Sequence, residues 1–130
     1  MSKHLKLHLM EDKYCFSKLP QFAELPSVFA KGEMCFSIRT DNELTIISPE
    51  FMAPNNVQQE IGFRCLRVAE HIAITDAGVL ASLIQPLSDV GVSVMAISTF
   101  DTDYIFFREE DLVKVTQTLQ HAGHEFIHEE

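Results

Sequence analysis

Apolar and polar positions in the second half of the chain predict a strand followed by a helix. Residues 63–68, FRCLRV, alternate in part, which is typical of a strand. Thr75 and Asp76 are helix-capping residue types, and Gly91 stands where the helix is expected to end. Pro86 lacks a backbone donor and predicts a distortion or an early end. The apolar positions at helical spacing are Val79, Leu80, Leu83, Ile84 and Leu87.

A hairpin and a second helix are predicted downstream. Residues 92–107 are rich in β-branched and aromatic side chains on either side of a polar corner at 101–103. The acidic residues 109–111 suit the first turn of a helix that Gly123 would end, and a last strand is expected near 125–128. The order β-α-β-β-α-β indicates an α+β, ferredoxin-like unit with an antiparallel sheet and both helices on one face.

The first half repeats part of this pattern. Residues 38–47 align with 97–107, with Asp41 opposite Asp101 and Glu43 opposite Asp103. We therefore expect two tandem ferredoxin-like units, a degenerate one at 1–60 and a regular one at 61–130, with the boundary near 58–62. Strands are expected near Leu5–Met10, Tyr14–Ser17, Met34–Arg39 and Glu43–Ile47, and short helices at Pro26–Ala30 and Pro49–Met52.

Composition narrows the classes of partner. The 130 residues include 10 basic and 19 acidic side chains, a net charge of −9, which disfavours nucleic acid because phosphate contacts need cationic clusters. Apolar runs are far shorter than a membrane helix requires, and the N-terminus alternates instead of resembling a signal sequence. We expect a cytoplasmic protein that has no membrane partner.

Cysteines and histidines do not suggest a metal or a cofactor. Cys15, Cys35 and Cys65 lack Cys-x-x-Cys spacing and are interpreted as buried apolar side chains in strands. Gly123 interrupts any helix that could align His121, His124 and His128, the histidines nearest to one another. No metal site and no cofactor are predicted.

The corner AISTFDTDYIFF, residues 96–107, carries two carboxylates between apolar strands. Asp101 and Asp103 suit either a solvated turn or a ligand site. An enzyme that used them as acid and base would need a nucleophile or a phosphate loop, and the sequence has neither a Ser/His or Cys/His context nor a Gly-rich loop. We therefore expect no catalytic activity.

The segments RCLRV at 64–68, AGVLASL at 77–83, GVSV at 91–94 and ISTFDTDY at 97–104 resemble the ACT domain. The resemblance is to small tandem-ACT proteins related to aspartate kinase regulatory domains and to the cytosolic arginine sensor family. It is specific over residues 63–123 and weaker over 1–60. It implies a regulatory module that binds an amino acid or similar small ligand between paired ACT units.

The resemblance points to two ligand-binding segments, and the chemistry agrees. Backbone N–H groups at a helix N-terminus suit a ligand carboxylate, and a Gly permits close approach. The Asp103 carboxylate would accept a hydrogen bond from the ligand ammonium. The candidate residues are Thr75, Asp76, Ala77, Gly78, Val79, Ser98, Thr99, Phe100, Asp101 and Asp103.

Such a module would act by regulating its own assembly, as a homodimer or as paired ACT units, or by regulating a partner enzyme. The alternative is a structural interaction module of ACT fold that has lost ligand binding and uses its sheet edges and helix face. For each candidate residue a purely structural role, in capping, packing or turn formation, stands beside the ligand role.

Overall fold

The computed structural model describes residues 4–30, 34–70 and 78–127. Within these ranges eight strands and two α-helices form, joined by 3₁₀ turns at Ser27–Ala30, Glu50–Met52 and Glu109–Asp111. The elements are β1 Lys6–Leu9, β2 Tyr14–Pro20, β3 Phe36–Arg39, β4 Glu43–Pro49, β5 Gln58–Val68, α1 Val79–Asp89, β6 Val94–Ser98, β7 Asp103–Arg108, α2 Leu112–His121 and β8 Glu125–Phe126.

The chain divides into two compact units, residues 12–63 and residues 1–11 with 64–130. Strand β5 contributes its first part to the smaller unit and its second part to the larger one. Strand β1 belongs to the larger unit, where it pairs with β5. The division into sequence domains at 1–60 and 61–130 stays a prediction.

The smaller unit has a ferredoxin-like strand order with almost no helix. Its strands lie in the order β3-β4-β2-β5, and the three pairs are antiparallel. The positions of the two helices are taken by 3₁₀ turns at Ser27–Ala30 and Glu50–Met52, in agreement with the short helices predicted there. A core of Leu19, Phe29, Leu44 and Ile46 stabilises the unit.

A β-bulge occupies the segment where the sequence indicated a boundary. Tyr14 pairs with Phe63 and Phe16 with Glu60, so that two residues of β5 oppose one of β2. Gly62 supplies the required left-handed backbone at φ 84°, and its N–H donates to Glu50 Oε2 at 2.7 Å. The polar residues of this segment therefore continue a strand, because β5 pairs with β2 on both sides of the bulge.

The larger unit places both helices on one face of its sheet. Its strands lie in the order β8-β1-β5-β7-β6, and α1 contacts α2. One apolar cluster joins the helices and strands, with Leu7 and Leu66 from the sheet, Leu83 from α1 and Leu119 from α2. The α+β fold with ferredoxin-like units, predicted from the hydrophobic pattern, is confirmed.

Several local features differ from the prediction. The pair β1–β8 is parallel, because β1 is inserted between β5 and β8. Helix α1 begins at Val79, later than expected from Thr75 and Asp76, because the left-handed Gly78 at φ 83° cannot belong to it. Pro86 does not end α1, which continues to Asp89.

The cysteines are free thiols in two different environments. Cys15 and Cys65 are buried in β2 and β5, as predicted. Cys35 is half-buried and precedes β3, where its thiol donates to the Phe29 carbonyl at 3.4 Å. Its predicted place in a buried strand is therefore wrong, because β3 begins one residue later and is mostly exposed.

Candidate ligand-binding site

A buried carboxylate lies where the β6–β7 hairpin of the larger unit turns. Asp103 opens β7, pairs in register with Ser98 at the end of β6, and is only 7% exposed. The Ser98 hydroxyl donates to Asp103 Oδ1 at 2.6 Å. Burial of an ionised carboxylate costs free energy unless charge-assisted hydrogen bonds offset it. Asp103 is thus more than a solvated turn residue.

The corner between the two strands is a tight turn closed by Thr99 and Thr102. The Thr99 N–H donates to the Thr102 carbonyl at 2.9 Å, and the Thr102 N–H donates to Thr99 Oγ1 at 3.3 Å. Phe100 and Asp101 form the tip, where Phe100 is 80% exposed and Asp101 is exposed. An apolar ring on the surface is therefore available to a ligand or a partner.

Thr102 ties this corner to the neighbouring strand. Its side chain is 6% exposed, and Oγ1 donates to the Val68 carbonyl at 2.8 Å. Val68 is the last residue of β5, from which the chain continues toward α1. The sequence prediction left Thr102 out of the site, because a threonine in a turn carries no signal of a bond to a residue 34 positions away.

The predicted residues of the helix entry lie on a separate element. Gly78 is the exposed N-cap of α1, and it has no side-chain capping bond. Val79 is 2% exposed and packs in the apolar core of the larger unit. Thr75, Asp76 and Ala77 lie outside the described residues. The structure therefore joins Ser98 to Asp103 and Thr99 to Thr102, while the ligand role of every residue in the set stays a prediction.

Metal-binding groups and membrane helices were also sought in the described ranges. No cluster of three or more His, Cys, Asp or Glu side chains among residues 4–30, 34–70 and 78–127 is arranged to hold a metal ion. Over the same ranges, no helix has the length and apolarity needed to cross a membrane. His128, one of the three histidines considered from the sequence, lies outside the described residues.

Comparison with known proteins was made for sequence and for fold. Residues 58–121 match the family model of the ACT domain. The human "Cytosolic arginine sensor for mTORC1 subunit 1" is 44% identical over 59 residues, which are 42% of this chain and 18% of that protein. The human "Putative protein CASTOR3P" is 33% identical over 86 residues, covering 48% of this chain and 53% of that protein. The matches thus span only part of these relatives.

Solved structures match over nearly the whole chain. A crystal structure of an Agrobacterium tumefaciens protein has a TM-score of 0.90 at 29% identity, covering 99% of this chain and 96% of that one. The regulatory subunit of aspartate kinase from Thermus thermophilus has a TM-score of 0.60 at 11% identity, covering 89% of this chain and 96% of that one. The latter likeness concerns the fold alone.

Strand order, helix placement and the hairpin corner define a protein of the ferredoxin-like α+β class. Within that class, residues 58–121, about half of the chain, match the ACT domain family. The resemblance inferred from the sequence is confirmed.

Proposed function

We propose that this protein is a regulatory module that binds a small ligand of the amino-acid class at the hairpin corner and has no catalytic activity of its own. The observation that carries the proposal is the buried Asp103 carboxylate, held by Ser98 at 2.6 Å beside the exposed Phe100. The name of a similar protein, a cytosolic arginine sensor, supports a regulatory role.

The chemistry of an amino-acid zwitterion fits this arrangement. The ligand ammonium needs an acceptor that is already desolvated, so that the charge-assisted bond is strong, and Asp103 is such an acceptor. The ligand carboxylate needs N–H donors, which the first turn of α1 beyond Gly78 offers. The Thr102 bond to Val68 supports the proposal, because it fixes the corner at the end of β5 that leads toward this helix.

Ligand binding would be transmitted by the association of this protein with another copy or with a partner enzyme. Strand β6 lies at the edge of the larger unit's sheet and pairs with β7. Met95 is 37% exposed on this edge, and Val94 and Ile97 are partly exposed. Such an edge favours pairing with another copy or with a regulated enzyme, so we propose a homodimer of paired ACT units in the cytoplasm.

The same edge supports the second candidate, an interaction module without a ligand. Both functions use β6, but only the ligand-binding function requires the Asp103 carboxylate. Thermal unfolding measured with each standard amino acid separates the two. A ligand at ~100 times its dissociation constant stabilises the native state by ~2.7 kcal/mol. In a protein of this size, such a stabilisation raises the unfolding temperature measurably.

Calorimetric titration of the strongest ligand into Asp103→Asn and Asp101→Asn then tests the site. The Asp103 variant should lose roughly 1.5–3 kcal/mol of binding free energy, the range for hydrogen bonds to charged groups. The Asp101 variant removes the same charge at the exposed tip and should lose less binding free energy than the Asp103 variant. Equal affinity of the parent and Asp103→Asn would refute the site, and a panel without any stabilising amino acid would favour the interaction module.

A further inference from the structure

The smaller unit contains a counterpart of the hairpin corner. In the larger unit, Ser98 pairs with Asp103 across the four residues of that corner. In the smaller unit, Arg39 pairs with Leu44 across the four residues 40–43, which we call the smaller-unit corner. Both corners join the edge strand of their unit to the strand beside it, and they have the same length.

The hydrogen bonds inside the two corners also correspond. The Thr40 N–H donates to the Glu43 carbonyl at 2.9 Å, and the bond from the Thr99 N–H to the Thr102 carbonyl has the same length. In each corner the threonine hydroxyl oxygen accepts the N–H of the closing residue, at 3.2 Å from Glu43 and at 3.3 Å from Thr102. The two units therefore build the same turn from the same bonds.

The residues beside the two turns differ in chemistry. The register makes Leu44 the counterpart of Asp103, one residue away from the sequence alignment that set Glu43 opposite Asp103, because corners of equal length need no gap. Leu44 is 2% exposed and packs in the apolar core of the smaller unit. This position therefore lacks the carboxylate on which the proposed ligand site of the larger unit rests.

Arg39, the counterpart of Ser98, bridges the smaller-unit corner to the loop that follows β2. Its Nη1 donates to the Gln21 carbonyl, and its Nη2 donates to the Ala23 carbonyl at 2.8 Å. The Ala23 N–H donates to the Pro20 carbonyl at 3.0 Å and closes this loop. One planar guanidinium thus holds two loop carbonyls in fixed directions by charge-assisted bonds.

The side chain at the corresponding position of the larger unit makes a different contact. Ser98 has only a hydroxyl beyond its Cβ, which is too short for such a bridge, and it donates to the Asp103 carboxylate at 2.6 Å. In the function proposed above, a ligand connects this hairpin corner to the segment that leads toward α1. The bridge that needs a ligand in the larger unit is thus part of the chain in the smaller one.

We propose that Arg39 is a built-in occupant of the smaller-unit corner, whose guanidinium takes the place that a ligand takes at the hairpin corner. The comparison with a ligand rests on the function proposed for Asp103, whereas the bridge itself does not. The chain then has one ligand site, in the larger unit, and a corner in the smaller unit that its own side chain closes. Because Arg39 is exposed, a variant without its side chain leaves this place accessible to a solute that carries the same group.

The test removes the end of the side chain and returns it as a solute. Arg39→Ala should accelerate amide hydrogen exchange at Ala23, because the loop loses both bonds to its carbonyls. Ethylguanidinium consists of the atoms that this substitution deletes, and it should slow the exchange again in a saturable manner. Ethylammonium at the same ionic strength should not, because it lacks the planar fork. The parent protein should respond to neither solute.

Two further variants serve as controls. Arg39→Lys keeps the charge without the fork, so exchange at Ala23 should be accelerated as in Arg39→Ala. Arg108→Ala removes an exposed arginine from β7 of the larger unit and should leave exchange at Ala23 as it is in the parent. Unchanged exchange at Ala23 in Arg39→Ala, or equal effects of ethylguanidinium and ethylammonium on this variant, would overturn the proposal.

The stoichiometry of ligand binding separates this proposal from the function proposed for Asp103. Calorimetric titration with the most stabilising amino acid should give one site per chain in the parent protein. Two sites per chain would overturn the proposal, because the smaller-unit corner would then be open to the ligand. If no amino acid binds but ethylguanidinium still slows exchange in Arg39→Ala, the function proposed for Asp103 fails and the Arg39 bridge stands.

Discussion

The Nε2 atom of His124 lies 3.0 Å from the carbonyl oxygen of Ser82. In a regular helix this carbonyl accepts the N–H of residue 86, which here is Pro86 and has none. On the other side of the ring, the Leu5 N–H donates to Nδ1 at 3.1 Å, so Nδ1 carries no hydrogen and Nε2–H is the donor. His124 thus joins Leu5, the residue before β1, to α1 and replaces the donor that the proline removes.

We expect His124→Ala to lower the free energy of unfolding by about 1–3 kcal/mol, because it leaves a backbone donor and an acceptor without partners in a buried place. Urea unfolding monitored by circular dichroism measures this. His121→Ala removes an exposed histidine at the end of α2 and should cost no more than about 1 kcal/mol.

Pro86→Ala should reduce the cost of losing His124. An alanine at 86 has the N–H that Pro86 lacks, so the Ser82 carbonyl can again accept its regular helical donor. In a double-mutant cycle we expect His124→Ala to destabilise the Pro86→Ala background less than the parent, with a coupling free energy of about 0.5–1.5 kcal/mol. Strict additivity of the two substitutions would contradict the proposed exchange of donors.

This relationship shows what the sequence pattern conveys and what it does not. Hydrophobic periodicity predicted α1, and the helix chemistry of Pro86 predicted a disturbance near Ser82. The compensation comes from residue 124, which is 42 positions away from Ser82, and no local pattern encodes such a contact. From the sequence, His124 was weighed only as a metal ligand, whereas in the fold both of its ring nitrogens are engaged.

The same limit applies to the hairpin corner and to β5. β-Branched and aromatic runs around a polar corner predicted the hairpin at Asp103, and short helices were predicted where the smaller unit has its 3₁₀ segments. The internal repeat predicted a boundary near 58–62; this segment extends β5, and its polar residues 58–60 pair with β2. Whether an exposed polar segment is a loop or an edge of a sheet depends on the partner strand, which is distant in sequence.

Cys65 should make stability fall at alkaline pH. Burial raises the pKa of this thiol far above its ordinary value of 9.0, and the Arg67 charge opposes the shift only in part. Above about pH 9 the unfolded chain loses the proton while the folded protein keeps it, so the unfolded state binds fewer protons and the unfolding free energy decreases as pH rises.

The expected slope from this thiol is about 1.4 kcal/mol per pH unit once the unfolded thiol is ionised. Chemical denaturation from about pH 8 to about pH 10 should show a steeper decline for the parent than for Cys65→Ala. Cys15→Ala, at the other fully buried thiol, is the matched substitution in the smaller unit. Identical pH profiles of the parent and Cys65→Ala would refute the linkage.

Gly62 should tolerate Asn better than Ala, although neither side chain meets an obstacle at Cβ. No heavy atom lies within 4 Å of a Cβ built there, so the cost of substitution comes from the backbone at φ 84°. Gly62→Ala should lower the unfolding free energy by about 1–2 kcal/mol, the penalty of left-handed backbone, and Gly62→Asn should lower it less. Equal stability of all three proteins in urea would mean that the bulge relaxes at no cost.

Thr102→Val should loosen the corner that holds Asp103. The substitution keeps the shape of the side chain but removes the hydrogen bond from Oγ1 to the Val68 carbonyl, and it leaves that buried acceptor without this donor. We expect a loss of about 1–2 kcal/mol in unfolding free energy. Amide hydrogen exchange should accelerate at Thr99 and Thr102, whose N–H groups both lie in the turn.

Thr99→Val tests the hydrogen bonds inside the turn separately from the bond between Thr102 and Val68. It removes the Oγ1 acceptor of the Thr102 N–H but keeps the Thr99 N–H bond to the Thr102 carbonyl and the anchor to Val68. Its cost should therefore be smaller than that of Thr102→Val. If the corner must stay against β5 for Asp103 to receive a ligand, Thr102→Val also weakens ligand binding more than Thr99→Val does. A larger loss of ligand affinity in Thr99→Val than in Thr102→Val, measured by calorimetric titration, would show that the bond from Thr102 to Val68 has no part in the site.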